Sequence, residues 1–142
     1  MEWVKSINNA IAYMENHLTE DIILSDIAES VSISSFHFQR AFSMMTGITP
    51  TEYLRNRRLS QAGAELASGN VNVIDIALKY GYHSPESFTK AFSRFHGFSP
   101  SQVRKGSPIK FMNRYTIRIT IVGGSIMEYK IEKWEAMDLL VH

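Results

Sequence analysis

The chain has 142 residues, a net charge of +1, a 44% hydrophobic fraction and no cysteine. That length suits one domain, or one domain and part of another, and the lack of cysteine excludes disulfides, cysteine-ligated zinc and thiol chemistry. No apolar run approaches the roughly 20 residues of a membrane helix and the first residues lack a signal-peptide core, so a cytoplasmic protein with no membrane partner is expected.

The first helix is expected over Glu2–His17, where Trp3, Val4, Ile7, Ile11, Met14 and Leu18 recur at helical spacing. A short helix follows, with Ser25 as its N-cap and Ile27, Ala28 and Val31 inward. The third runs from an N-cap at Ser34 to a stop at Gly47, and a long helix begins at Pro50–Thr51 and ends at Gly69. Asn72 caps the fifth helix. Ser84 caps the sixth, with Pro85 at its first position, where a missing N–H costs nothing. A seventh starts at Ser101. After Gly106 the pattern alternates: Ile117, Ile119 and Ile121 on one face, a Gly123–Gly124 turn, then Met127, Tyr129 and Ile131. This predicts a short β-hairpin-like segment.

The helical part repeats itself. Phe38, Ala41, Phe42, Ser43, Gly47 and Pro50 return as Phe88, Ala91, Phe92, Ser93, Gly97 and Pro100. Each copy is a short helix, a tight turn and a longer helix, the outline of a helix-turn-helix. The fold expected is mainly α: two such units joined by a long linker helix, about seven helices in all, then the β segment. At 1.5 Å per residue the linker spans roughly 27 Å, a length suited to two helices in major-groove faces about 34 Å apart.

Charge follows the repeat. Residues 1–30 carry Glu2, Glu15, Glu20, Asp21, Asp26 and Glu29 against Lys5, whereas Arg40, Arg55, Arg57 and Arg58 face only Glu52 over residues 40–58. On a helical wheel Phe38, Ala41, Phe42 and Met45 share the inward stripe of the third helix, and Phe36, Gln39, Arg40 and Ser43 lie opposite. Arg and Gln make paired hydrogen bonds to guanine and adenine edges in the major groove, and an exposed aromatic packs on thymine methyls or sugars. In the second copy Glu86, Thr89, Lys90 and Ser93 take the outward places. The inward residues are kept and three of the four outward ones differ, as two reading heads with different targets require. Duplication drift accounts for part of the same pattern, and Phe36 packed on a neighbouring helix is the alternative for that ring. The histidines His17, His37, His83, His96 and His142 are dispersed, and phosphate-loop, dinucleotide and serine-nucleophile motifs are absent. No metal, cofactor or catalytic residue is expected.

The stretches "SISSFHFQRAFSMMTGITPTEYLRNRRLSQA" and "VIDIALKYGYHSPESFTKAFSRFHGFSPSQVR" resemble the DNA-binding domain of AraC/XylS-type transcription regulators over about Ile7–Lys105. The resemblance implies base contacts from Phe36, Gln39 and Arg40 and from Glu86, Ser87, Thr89 and Lys90, with phosphate contacts assigned to Ser34, Arg55, Arg57, Arg58, Ser84 and Arg94. Pro85 and Glu86 stand where some members carry amides, and Phe36 where some carry tryptophan. The implied partners are double-stranded DNA and RNA polymerase, in the nucleoid. The tail "IRITIVGGSIMEYKIEKWEAMDLLVH" resembles the start of a gyrase-inhibitor-like effector-binding domain. Residues 1–106 are thus expected to form the double helix-turn-helix domain, and 107–142 a linker and the first strands of an incomplete domain that would take a small-molecule effector only when complete. The rival reading is a helical protein-interaction module that no longer binds DNA.

Overall fold

Local sequence chemistry sets where the helices start and stop in the computed structural model, which describes residues 2–122 and 126–133, from residue 119 onward as backbone. The helices are α1 (Glu2–Asn16), α2 (Leu24–Ser30), α3 (Ser35–Thr46), α4 (Pro50–Ser68), α5 (Val73–Lys79), α6 (Pro85–His96) and α7 (Pro100–Arg104); β1 (Tyr115–Val122) and β2 (Ile126–Lys133) follow. The Ser34 hydroxyl accepts the His37 N–H at 3.3 Å, and Ser84 accepts that of Ser87 at 3.1 Å, so each longer helix of a repeat has one of its free N-terminal donors satisfied by its cap. Both end alike, at Gly47 and Gly97 with φ of +83°, a left-handed turn that glycine adopts without strain.

Two helix starts differ from expectation, and one expected cap keeps its position without its side-chain bond. α2 starts at Leu24, ahead of Ser25, because the Asp26 carboxylate reaches back to the Ile23 N–H at 2.9 Å. α7 begins at Pro100, capped by Ser99 whose backbone N–H is taken by the Gln102 side chain. Asn72 has the extended backbone of an N-cap, yet its side chain makes no capping bond.

Backbone packing groups the chain into two units. The first holds residues up to His17, Ile22–Tyr53 and those from Asn113 on. Its core is the inward stripe of α1 (Val4, Ile7, Ile11, Met14) with Ile27 and Ala28 of α2 and Phe38 and Phe42 of α3. The Tyr53 ring closes on Phe42 and Tyr115, and its hydroxyl donates to the Glu15 carboxylate at 3.0 Å. β1 joins this core: Tyr115 and Ile117 are buried, and the Asn8 side chain donates to the Ile117 carbonyl and accepts from its N–H. β1 and β2 pair antiparallel with Ile117 opposite Ile131, Ile119 opposite Tyr129 and Ile121 opposite Met127, the register the alternating pattern demands. The Gly123–Gly124 turn lies outside the described residues.

The second unit comprises Leu18–Asp21 and Leu54–Met112. Leu59, Ala62 and Leu66 of α4 pack with Ile76, Ala77 and Tyr80, with Phe88 and Phe92 of α6, and with Val103. Residues 107–112 belong to this second unit, and the chain passes to the other at Asn113.

Candidate nucleic-acid interface

α3 presents the outward face read from its wheel. Phe36 is 66% exposed and Phe38 fully buried; Gln39 and Arg40 are exposed. The Phe36 ring meets His37 edge-on at 5.4 Å, and the Arg40 guanidinium lies 6.0 Å from its centre. The aromatic thus pre-positions the cation beside it. The face is wider than the sequence suggests. Met44 is 80% exposed, and with Trp3, His37, Arg40, Ala41 and Met45 it lines a groove of about 350 Å³. Met44 lies one turn beyond Arg40, so its place was readable, but a methionine gives no sign of facing water.

α6 repeats the arrangement with different chemistry. Glu86, Ser87, Thr89 and Lys90 are exposed, and Pro85, Glu86, Thr89, Lys90 and Ser93 line one open depression along the helix. Glu86 in the first turn suits the positive end of the helix dipole. The Ser87 hydroxyl is already engaged, donating to the Ser84 carbonyl at 3.0 Å and accepting from the Ser84 hydroxyl at 2.9 Å. Ser34 is exposed and Ser84 partly so, each at the N-terminus of its helix, and the Ser34 hydroxyl also bonds the His37 ring at 2.7 Å.

The arginines of α4 divide. Arg55 is exposed and lines a pocket of about 270 Å³ with Arg94 of α6 and Lys110. Arg57 and Arg58, also expected to contact phosphates, are engaged by backbone carbonyls of the chain itself. Arg57 is only 5% exposed, donates to the Met112 carbonyl at 2.6 Å and lies against the Phe111 ring. Arg58 donates to the carbonyls of Leu18 at 2.7 Å and Glu20 at 2.6 Å, and desolvation by burial holds its pKa below the usual arginine value. A guanidinium spent on backbone carbonyls has few donors left for a phosphate.

Two buried groups stiffen this unit and were not singled out from the sequence. The His96 ring sits between the Leu59 carbonyl, 2.7 Å from Nε2, and the Lys110 N–H, 3.0 Å from Nδ1. Nε2 therefore carries the proton, Nδ1 accepts, and the ring is neutral. Burial is the main cause of its lowered pKa, with the nearby Lys110 charge adding to it. Gly63 gives the ring room: a Cβ there would fall 2.7 Å from His96 Cε1. The Tyr80 hydroxyl donates to the Glu65 carboxylate, and Lys79 pairs with the same carboxylate at 2.9 Å.

Among the described residues no group of three or more His, Asp or Glu could hold a metal ion, and no helix is long and apolar enough to cross a membrane. Two helix-turn-helix pairs, α2–α3 and α5–α6, each with an exposed polar and cationic second helix, define a DNA-binding transcription regulator. The chain belongs to the AraC-type helix-turn-helix family: the family model described as "Helix-turn-helix domain" matches residues 27–106. It is 41% identical over 98 residues to the HTH-type transcriptional activator AarP of Providencia stuartii, covering 69% of this chain and 73% of that protein. It is 36% identical over 134 residues to the uncharacterized HTH-type transcriptional regulator YbfP of Bacillus subtilis, covering 94% of this chain and 43% of that protein. It therefore spans nearly three quarters of the first relative and under half of the second. Among solved structures, the DNA-binding domain of AdpA in complex with a target DNA aligns at 28% identity and TM-score 0.65, covering 70% of this chain and 89% of that one. The C-terminal domain of AraT, a response regulator from Geobacillus stearothermophilus, aligns at 27% identity and TM-score 0.68, covering 74% and 88%. The relatives compared are regulators, not enzymes.

Proposed function

We propose that this regulator reads an asymmetric DNA site with α3 and α6 in successive major grooves. The observation that carries the reading is the pair of matched helices with unlike exposed faces, Phe36, Gln39 and Arg40 on one and Glu86, Thr89 and Lys90 on the other. Arg40 and Gln39 have the donor geometry for guanine and adenine edges, Glu86 accepts from cytosine N4, and Phe36 packs on a thymine methyl or a sugar. Ser87 serves the cap of α6 first and reaches a base only by giving up a bond to Ser84. Arg55, Arg94, Ser34 and Ser84 contact phosphates, which fix register and carry no sequence information.

The likeness to an activator supports a role in activating transcription through RNA polymerase, on the nucleoid. We read the residues after 106 as part of an effector-binding domain, on the alternating pattern of β1 and β2; the 134-residue match to YbfP also extends beyond the helical part. A small-molecule effector would act through that domain. The test is selection of bound sequences from random DNA, followed by footprinting. The expected result is a non-palindromic site with two contact zones about 10 base pairs apart, and Arg40→Ala should relax preference at one or two positions at a cost of about 1–3 kcal/mol. A strict palindrome, or one contact zone, would refute the reading; equal loss on specific and random DNA would demote Arg40 to a phosphate contact.

A further inference from the structure

The segment that follows the second helix-turn-helix is not a free connector. Its Lys110 N–H is accepted by His96 Nδ1, its Met112 N–H by the Ser60 hydroxyl at 2.9 Å, and its Met112 carbonyl by Arg57. Ile109 packs against the core of the second unit. These contacts lay residues 109–112 along α4, and they fix where Lys110 stands. Its ammonium lies 5.4 Å from the centre of the Phe95 ring, in the pocket of about 270 Å³ that Arg55 of α4 and Arg94 of α6 also line.

Three cations from three separate elements therefore converge on one concavity. The remaining lining, Asn56, Leu59, Ala91 and Phe95, carries no acid. No hydrogen bond or ion pair engages the side chains of Arg55 or Arg94 among the described residues, although the arginines two and three positions further along α4, Arg57 and Arg58, donate to backbone carbonyls. Like charges gathered without a counter-charge repel each other, and a bound anion relieves that repulsion. The pocket also adjoins the reading face of α6: Arg94 lies one turn beyond Lys90, and Ala91 separates them.

We propose that Arg55, Arg94 and Lys110 form a phosphate clamp, and that the anion it takes is a phosphodiester of the DNA backbone beside the groove that α6 enters. The inference rests on the DNA-reading role of α6 and adds to it a contact element outside both helix-turn-helix units. Arg55 and Arg94 supply forked donors suited to phosphate oxygens, and Lys110 supplies a compact charge. Placing Lys110 requires the strap over α4, so Arg57, Ser60 and His96 act on DNA affinity as positioning residues and do not touch the ligand.

The experiment titrates the full chain and its Lys110→Gln and Lys110→Arg variants with the selected operator and with a random duplex, across a series of salt concentrations, alongside a melt of each variant. Each phosphate contact contributes about 0.9 to the slope of log K against log salt. Lys110→Gln should flatten that slope by about 0.9 on both duplexes and weaken both by a similar factor. Lys110→Arg should restore it, and the melts should stay together. A slope unchanged in Lys110→Gln, with wild type still selective for the operator, overturns the clamp and leaves the role of α6 standing. Failure of wild type to discriminate operator from random duplex overturns the reading beneath it. A fourth arm melts wild type and Lys110→Gln in inorganic phosphate. Stabilisation of wild type alone, without a change in DNA salt slope, would make the pocket a site for a small free anion and overturn the backbone assignment.

Discussion

Phe36 and Phe38 stand two residues apart on α3, and the structure gives them opposite surroundings, one exposed and one buried. Phe38 is fully buried, 5.8 Å ring to ring from Phe42, which in turn meets Tyr53 at 5.8 Å. Phe38→Ala opens a cavity in the centre of the first unit and should cost about 3–5 kcal/mol. At about 4–8 °C per kcal/mol for a unit of this size, its melting midpoint should fall by roughly 12 °C or more. Phe36 keeps about a third of its surface from water. With a phenylalanine surface of about 200 Å² and about 25 cal/mol per Å², Phe36→Ala should cost about 1.7 kcal/mol at the upper limit. The order reverses on DNA, where loss of the Phe36 ring and of its support for Arg40 should weaken operator binding about fivefold or more at fixed salt. Melts and titrations of the two variants, with binding measured well below both midpoints, decide the matter. Should Phe36→Ala melt as low as Phe38→Ala, or bind the operator as wild type does, the assignment of the exposed ring to DNA is wrong.

Three further outcomes follow from the second unit. Arg57→Ala should lower stability by about 1.5–3 kcal/mol, because the Met112 carbonyl loses a charged donor; it should leave Arg55 and Arg94 exposed and act on DNA through the strap. Gly63→Ala should destabilise the protein by about 1–3 kcal/mol despite the better helix propensity of alanine, since the new Cβ meets the His96 ring; in a His96→Ala background the penalty should shrink or change sign, which a double-mutant cycle of melts reads directly. His96 has a lowered pKa when folded, so the unfolded chain binds its proton first as pH falls. Its contribution to stability is present above the ordinary histidine value of about 6.5 and is lost as pH drops through the lower folded value. Denaturation midpoints followed from pH 7.5 to 5 should fall more steeply (roughly, over about that interval) for wild type than for His96→Gln.

The helices were legible because their signals are local. The i, i+3, i+4 stripes of α1, α3 and α6, the serine caps and the glycine stops are written within a dozen residues, and the structure follows them. The start of α2 was missed for an equally local reason: two cap signals compete there. Asp26, at the third helical position, takes the Ile23 N–H and moves the start ahead of Ser25. The division of the chain was less legible. Alternation after Gly106 identified strands, but whether β1 stands apart depends on Asn8 and Tyr53, distant residues whose polar groups receive the strand's backbone.

The exposed outward residues of α3 and α6 were recoverable because a helix has one core-facing stripe, and whatever lies opposite must meet solvent or a partner. The same argument fails for α4, which is packed on more than one side. A guanidinium can lie on carbonyls as well as on phosphates, since both are oxygen acceptors in reach of a forked donor. Periodicity cannot separate Arg55 from Arg57 and Arg58; only the arrival of Met112, Leu18 and Glu20 from distant sequence does so. That arrival has a consequence for charge. It ties the guanidiniums of Arg57 and Arg58 to backbone carbonyls, and the Arg57 bond to Met112 holds the segment that carries Lys110 against α4. The cationic surface of the second unit is thus set by which backbone oxygens the arginines of α4 find first, not by how many arginines α4 carries.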